Sequence, residues 1–166
     1  MTTTENLKEA FAGESQANRK YTAFARKADA EGFKQVAKLF RAAAQAETVH
    51  ALTHLRVMKG VGSTADNLQT AIAGETCEYQ KMYPVFLKEA EVEKNQPAVF
   101  TFQNAMAVEE THAKLYAQAL EAVKAGKDLP AAPLFVCEVC GHTAVGSAPD
   151  ICPVCKARKE KFVEVR

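Results

Sequence analysis

Through roughly the first 125 positions, apolar residues recur every three or four places, with Glu, Lys, Gln and Arg between them. This is the period of a helix that buries one face. Breaks in the pattern divide the region into four helices. The first covers 4–29 and ends before Glu31-Gly32. The second covers 33–59 and stops at Gly60-Val61-Gly62. A third starts behind a Ser63/Thr64 cap and runs to about 93, with Pro84 predicting a kink inside it. The fourth begins at Pro97, a residue suited to a first helical turn, and ends at Gly126. Helices of this size span nearly ~40 Å. After Gly126 the period lapses into Gly-Lys-Asp-Leu-Pro-Ala-Ala-Pro, and a segment rich in Cys, Gly and Pro follows. The pattern thus predicts an all-α four-helix bundle over 1–126, a linker over 127–134 and a small metal-stabilised β/loop domain over 135–166.

The bundle also repeats itself. Asn6-Leu-Lys-Glu-Ala-Phe-Ala-Gly-Glu14-Ser15 aligns with Asn67-Leu-Gln-Thr-Ala-Ile-Ala-Gly-Glu75-Thr76, six identities in ten at an offset of 61. Glu47-Thr-Val-His50-Ala51 aligns with Glu109-Glu-Thr-His112-Ala113 at an offset of 62, and Phe40 falls on Phe102 in the same register. A helical hairpin duplicated in this way implies a pseudo-two-fold axis, with matched side chains arriving from both copies.

Those side chains have a chemistry. Residues three apart share a helix face, so Glu47 projects with His50 and Glu109 with His112. One inward Glu on each of two helices, with Glu-x-x-His on each of the other two, is the ligand pattern of a di-iron or di-manganese carboxylate centre. Carboxylates bridge two hard cations and offset their repulsion, and each imidazole caps one of them. A lone Glu-x-x-His is usually a solvated face; two in repeat register, each following a Gly-Glu, are not. Gly13 and Gly74 each cost about 1 kcal/mol in mid-helix, which predicts close backbone packing beside Glu14 and Glu75. The copies differ where Ala17 is answered by Glu78, three residues after Glu75 and on its face. Five carboxylates leave the same net charge around two ferrous ions as around two ferric ions with a bridging oxide. Tyr21 and Tyr83 lie about two turns beyond Glu14 and Glu75, within reach of hydrogen bonds to ligand carboxylates. His54 offers a competing His50/His54 pair for zinc, but Tyr116 stands at its equivalent in the second copy, which favours packing.

Four of the five cysteines form two Cys-x-x-Cys pairs, Cys137/Cys140 and Cys152/Cys155. Two such knuckles describe a tetrahedral four-sulfur site, and a segment this short needs the metal in order to fold. Zinc there would be structural, whereas iron would carry one electron. Beside a di-iron bundle that needs reducing equivalents, iron is the better assignment and zinc the alternative. Cys77 stands alone and reads as a small buried hydrophobe, and His142 reads as part of a surface loop. Lys and Arg total 21 against 20 for Asp and Glu, a balance that removes nucleic acid as a default partner. The charged start carries no signal peptide pattern and no apolar run suits a membrane span, so the expectation is a cytoplasmic protein.

Taken together, Ala12-Gly-Glu14-Ser-Gln-Ala-Asn, Glu47-Thr-Val-His50, Gly74-Glu75-Thr-Cys-Glu78, Met82-Tyr83-Pro84, Glu109-Glu-Thr-His112 and both cysteine knuckles resemble the rubrerythrin family over essentially the whole chain. The resemblance implies a ferritin-like bundle joined to a rubredoxin-like domain. It implies a peroxidase for oxidative-stress protection that reduces hydrogen peroxide to water. Electrons would come from NAD(P)H through rubredoxin- or reductase-type donor proteins and would pass through the rubredoxin-like iron to an oxo- and carboxylate-bridged di-iron centre. Glu14 and Glu75 would be terminal ligands, Glu47 and Glu109 bridges, and His112 the cap on one iron. On the other iron, His50 and Glu78 would exchange with oxidation state. Tyr21 and Tyr83 match the family's tyrosines near the irons, and Cys137, Cys140, Cys152 and Cys155 would hold the single iron. Assembly would be at least a homodimer, in some relatives with exchanged helices. Lys156 departs from the Gly usual after the second rubredoxin knuckle, which questions the amide hydrogen bonds there and leans toward zinc. A ferritin-like ferroxidase is the competing reading within oxidative chemistry, and a non-catalytic zinc-ribbon adaptor the competing reading outside it.

Overall fold

A computed structural model describes residues 2–166. Five helices, α1 (Thr3–Ala30), α2 (Lys34–Val57), α3 (Thr64–Cys77), α4 (Tyr83–Val92) and α5 (Gln96–Lys124), precede three short strands, β1 (Leu134–Cys137), β2 (Thr143–Val145) and β3 (Phe162–Glu164). The chain divides into two compact units, the α1–α2 hairpin ending at Gly62 and the remainder from Ser63.

In the first unit, α1 starts at a capping box, in which Thr2 accepts from the Glu5 N–H and the Glu5 carboxylate accepts from the Thr2 N–H. Gly32, at φ +87°, ends it with the left-handed residue that a helix C-terminus favours. The hairpin closes over small residues, with Ala25, Ala28, Ala37 and Ala44 all buried. Tyr21 and Phe24 of α1 pack on Phe40 of α2, ring centroids 6.1 and 5.5 Å away. α2 stops two residues short of the expected Lys59, which takes φ +56° after the helix. Gly60 then folds back so closely that a Cβ there would meet the Leu55 side chain.

The second unit repeats this plan. Ser63 and Asp66 rebuild the capping box at the head of α3. Tyr83, Phe86 and Phe102 reproduce the aromatic trio, with Phe86 to Phe102 at 5.7 Å. The expected third helix is interrupted: between α3 and α4 the chain makes one π-helical turn, Glu78–Met82. Pro84, which lacks an N–H, falls in the first turn of α4 just beyond it. The repeat explains the wide turn. Caps Thr2 and Ser63 are 61 apart, as are Glu14 and Glu75, whereas Tyr21 and Tyr83, Phe24 and Phe86, and the α2 and α5 starts Lys34 and Gln96 are all 62 apart. Copy two therefore carries one more residue between Glu75 and Tyr83, and the π-turn absorbs it.

β1 pairs antiparallel with β2 (Val136 with Thr143) and with β3 (Val136 with Val163), giving the order β2-β1-β3. The same unit holds α3–α5 and this small sheet.

Two expectations fail. Among the described residues, a Cβ at Gly13 or Gly74 would meet nothing within 4 Å, so neither glycine makes a close backbone approach within its own unit. Cys77 is exposed rather than buried, because a residue two places after Glu75 lies about 200° round the helix from it. Among the described residues, no helix is long and apolar enough to cross a membrane.

Candidate metal centres

In the α1–α2 hairpin, α1 supplies Glu14 and α2 supplies Glu47 and His50; their donor atoms all lie within 4.8 Å of one another. His50 Nδ1 is 2.9 Å from Glu47 Oε2 and 3.8 Å from Glu14 Oε1. One turn along α1, buried Asn18 donates from Nδ2 to the Ala44 carbonyl at 2.6 Å and to Thr48 Oγ1 at 2.7 Å, fixing α1 against α2 beside the cluster. The second unit builds the same triad from Glu75, Glu109 and His112. His112 Nδ1 is 2.8 Å from Glu109 Oε2 and 3.8 Å from Glu75 Oε1. The sequence-predicted carboxylates and imidazoles therefore meet as two copies of one arrangement, and in both it is Nδ1 that faces the carboxylates.

The electrostatics are those of acids crowded together. Glu14 is raised above its ordinary 4.5, first by its hydrogen bond with Glu47 and then by burial, while the same bond and His50 lower Glu47. Of the pair, Glu14 is therefore the carboxyl that takes up a proton first as pH falls. Burial and the Glu109 charge raise Glu75. Burial and the Glu75 charge raise Glu78, which is accordingly beside the second triad, with His112 opposing the shift. Tyr83 is raised by burial and by Glu78, Glu109 and Glu75, so its hydroxyl stays protonated next to three carboxylates. Tyr21 keeps to the aromatic trio of its own hairpin. Carboxylate oxygens with an imidazole nitrogen suit a divalent transition ion, which would compete with protons for these groups.

The four cysteines gather as expected. Cys137 and Cys152 are buried, with Cys137 Sγ 3.7 Å from Cys155 Sγ and Cys140 Sγ 3.6 Å from Cys152 Sγ. A tetrahedron with ~2.3 Å metal–sulfur bonds has edges of about 3.8 Å, so the sulfurs already stand where one ion would hold them. Burial raises the Cys140 and Cys155 thiols. At Cys152 burial acts the same way but is outweighed by N–H groups of Cys155 and Val154, and the thiol is lowered. Lys156 adopts φ +64°, the left-handed backbone that a Gly would take at no cost, and the Ala157 N–H still reaches Cys155. The departure from Gly therefore leaves the sulfur-directed amides of that knuckle in place.

This four-sulfur domain abuts the second triad. Gly141, after the first knuckle, sits over buried Val108, one turn before His112 on α5. His112 Nε2 lies 3.0 Å from Thr143 Oγ1 at the start of β2. His142 lies in a loop, as expected, but is half-buried: its Nδ1 is buried with no hydrogen-bond partner among the described residues, its ring stands edge-on to Phe162, and burial and His112 lower its pKa.

Two features escaped sequence reasoning. The π-turn was written in the change of offset from 61 to 62. Nothing local marked Thr143, whose contact spans 31 residues.

The family model for rubrerythrin matches residues 5–120, and that for the rubrerythrin rubredoxin-like domain matches 135–163. Rubrerythrin-2 of Clostridium acetobutylicum is 34% identical over 96% of this chain and 95% of its own length. Nigerythrin of Nitratidesulfovibrio vulgaris is 36% identical over 96% of this chain and 85% of its own. A solved structure described as the fully reduced, all-ferrous state of nigerythrin covers 99% of this chain and 87% of its own, at 33% identity and a TM-score of 0.59. The donor sets that the family needs for a di-iron centre in the bundle and an iron in the rubredoxin-like domain are both present here. The chain belongs to the rubrerythrin family.

Proposed function

We propose that this di-iron oxidative-stress protein is a peroxidase that reduces hydrogen peroxide to water in the cytoplasm, with electrons entering through the four-cysteine iron from NAD(P)H-linked donor proteins. The observation that carries the reading is the sharing of one compact unit by a carboxylate–imidazole triad and a four-sulfur pocket. A bundle that only oxidised and stored iron would have no use for a one-electron carrier at that position. When bound, the ferrous pair supplies the two electrons, and H2O2 with two protons and two electrons yields two waters.

The chain's own residues do the rest. Glu14 and Glu75 would hold the metals as terminal ligands, Glu47 and Glu109 would be shared between them, and His50 and His112 would be the imidazole donors. Glu78, in the π-turn three residues after Glu75, would be the surplus carboxylate that exchanges with His50. Burial and the Glu75 charge raise its pKa, so it gives up a proton less readily than an ordinary carboxyl. Tyr83 keeps a proton on Oη next to the carboxylates, available for a hydrogen bond to a ligand oxygen. Tyr21 has the corresponding place in the first hairpin. Cys137, Cys140, Cys152 and Cys155 hold the single iron.

The test is metal analysis with turnover. Wild type should hold about three irons per chain and consume peroxide at the expense of a reduced donor. Cys137→Ala should abolish donor-linked turnover but leave one round of peroxide oxidation by the reduced bundle. Iron-core growth without peroxide turnover would favour a ferroxidase; one zinc per chain and no iron would favour an adaptor.

A further inference from the structure

The two triads differ in how their histidines are held on the far side of the ring. In both, Nδ1 faces Glu47 or Glu109, so the metal-facing nitrogen is the same. His50 Nε2 has no partner among the described residues, and the side chain is 54% exposed. His112 Nε2 meets Thr143 Oγ1 at 3.0 Å, and the side chain is 25% exposed.

We propose that Thr143, in the four-cysteine domain, is a positioning residue for His112: its hydroxyl accepts the Nε2–H, which leaves the Nδ1 lone pair for the bundle metal. The inference rests on the reading of the triads as metal ligands. Thr143 Oγ1 has one further neighbour, the Gly141 carbonyl at 3.5 Å, which can only accept. The hydroxyl can turn its hydrogen to Gly141 and present a lone pair to His112. Once a metal takes Nδ1 in place of its contact with Glu109, the ring proton sits on Nε2, and the hydroxyl is placed to accept it. The hydroxyl is itself held from several directions. Val136 pairs with Thr143 across β1 and β2, the Cys137 N–H donates to the His142 carbonyl at 2.9 Å, and the Gly141 N–H donates to the Cys137 carbonyl at 2.8 Å. Those bonds belong to the first cysteine knuckle. Folding of the four-sulfur site thus sets the orientation of an imidazole in the bundle, and the domain acts on the bundle metal as a clamp besides carrying charge. Hydrogen bonds of this kind to a ligating histidine typically change metal affinity by about 10–100-fold. No such clamp touches His50, in keeping with its place as the ligand that leaves.

The experiment uses the full chain with zinc preloaded in the four-cysteine site, its content checked by metal analysis. Co2+ is titrated into the bundle and followed by its visible bands, and long-range 1H–15N spectra report which His112 nitrogen carries the proton. Co2+-loaded wild type should show His112 protonated at Nε2, with that proton protected from exchange. Thr143→Val should bind Co2+ at the bundle about 10–100-fold more weakly and lose the protected Nε2–H signal, with zinc content unchanged. Thr143→Ser, which keeps the hydroxyl, should restore both. Equal Co2+ affinity and an unchanged His112 signal in Thr143→Val would overturn the inference and leave the metal-centre reading standing. Should Thr143→Val lose its zinc, the wild-type spectrum decides, since a His112 unprotonated at Nε2 overturns the inference. A wild-type bundle that takes up no Co2+ overturns the metal-centre reading and this inference with it.

Discussion

The two helical hairpins begin as near copies and end as different instruments. Both open on a capping box, both set a Glu opposite a Glu-x-x-His, and both close on a Tyr–Phe–Phe trio. The second adds one residue, a π-turn, an extra carboxylate at its head and a four-sulfur domain packed against its imidazole. The first leaves its imidazole half open. The difference teaches that repeated side chains need not be held alike: their neighbours, more than their spacing, decide which imidazole has a partner on its far side and which lies open.

The comparison breaks most severely at the π-turn. Deleting exposed Gln80 would return the second hairpin to the register of the first and close the wide turn that begins at Glu78. Helical content by circular dichroism should hold while peroxide turnover falls by about a hundredfold, the scale of a misplaced reacting group. Turnover within a few-fold of wild type would show that the wide turn does not place Glu78.

A second, smaller effect is pH-dependent. Without metal, the folded second unit holds protons on Glu75 and Glu78 more tightly than the unfolded chain does. Their contribution to stability is complete below about 4.5 and is lost as pH rises through their raised values. In the first hairpin, raised Glu14 and lowered Glu47 oppose each other. Urea unfolding of the metal-free bundle should therefore show stability falling with pH through the range just above the ordinary carboxylate value. The slope should come mainly from the second unit and should vanish when a divalent ion replaces the protons. A slope unaltered by Glu75→Gln with Glu78→Gln would sink that assignment.

The smallest effect lies at the helix ends. Gly32 after α1 and Lys94 after α4 are the same position of the repeat, and both are left-handed, at φ +87° and +57°. Lys94→Gly should stabilise by up to about 1 kcal/mol, and Gly32→Ala, which meets open space, should cost about 1–2 kcal/mol by thermal unfolding. Equal effects of the two substitutions would mean that the ends are not equivalent.

How much of this was readable beforehand varied with the range of the force concerned. Caps such as Ser63 and the stop at Gly126 act within a turn, and local residues announced them. The triads act across a hairpin, and the repeat announced those by placing like residues in like positions. Pro84 signalled trouble in the third helix but predicted a kink. The wide turn arises from an extra residue, and only comparison of the two copies counts it. Cys77 could have been placed outward from its angle to Glu75. Thr143 could not, because its partner lies on another element and neither residue type demands the other.

An extra residue in an ordinary helix would turn everything beyond it by about 100°. Here the surplus is swallowed within five positions, and from Tyr83 onward the second hairpin is back in phase, so Phe86 and Phe102 still find each other. A single added codon could thus enter one half of a symmetrical protein, widen the turn beside its extra acid, and leave no mark a turn away. Asymmetry of function demanded no asymmetry of architecture.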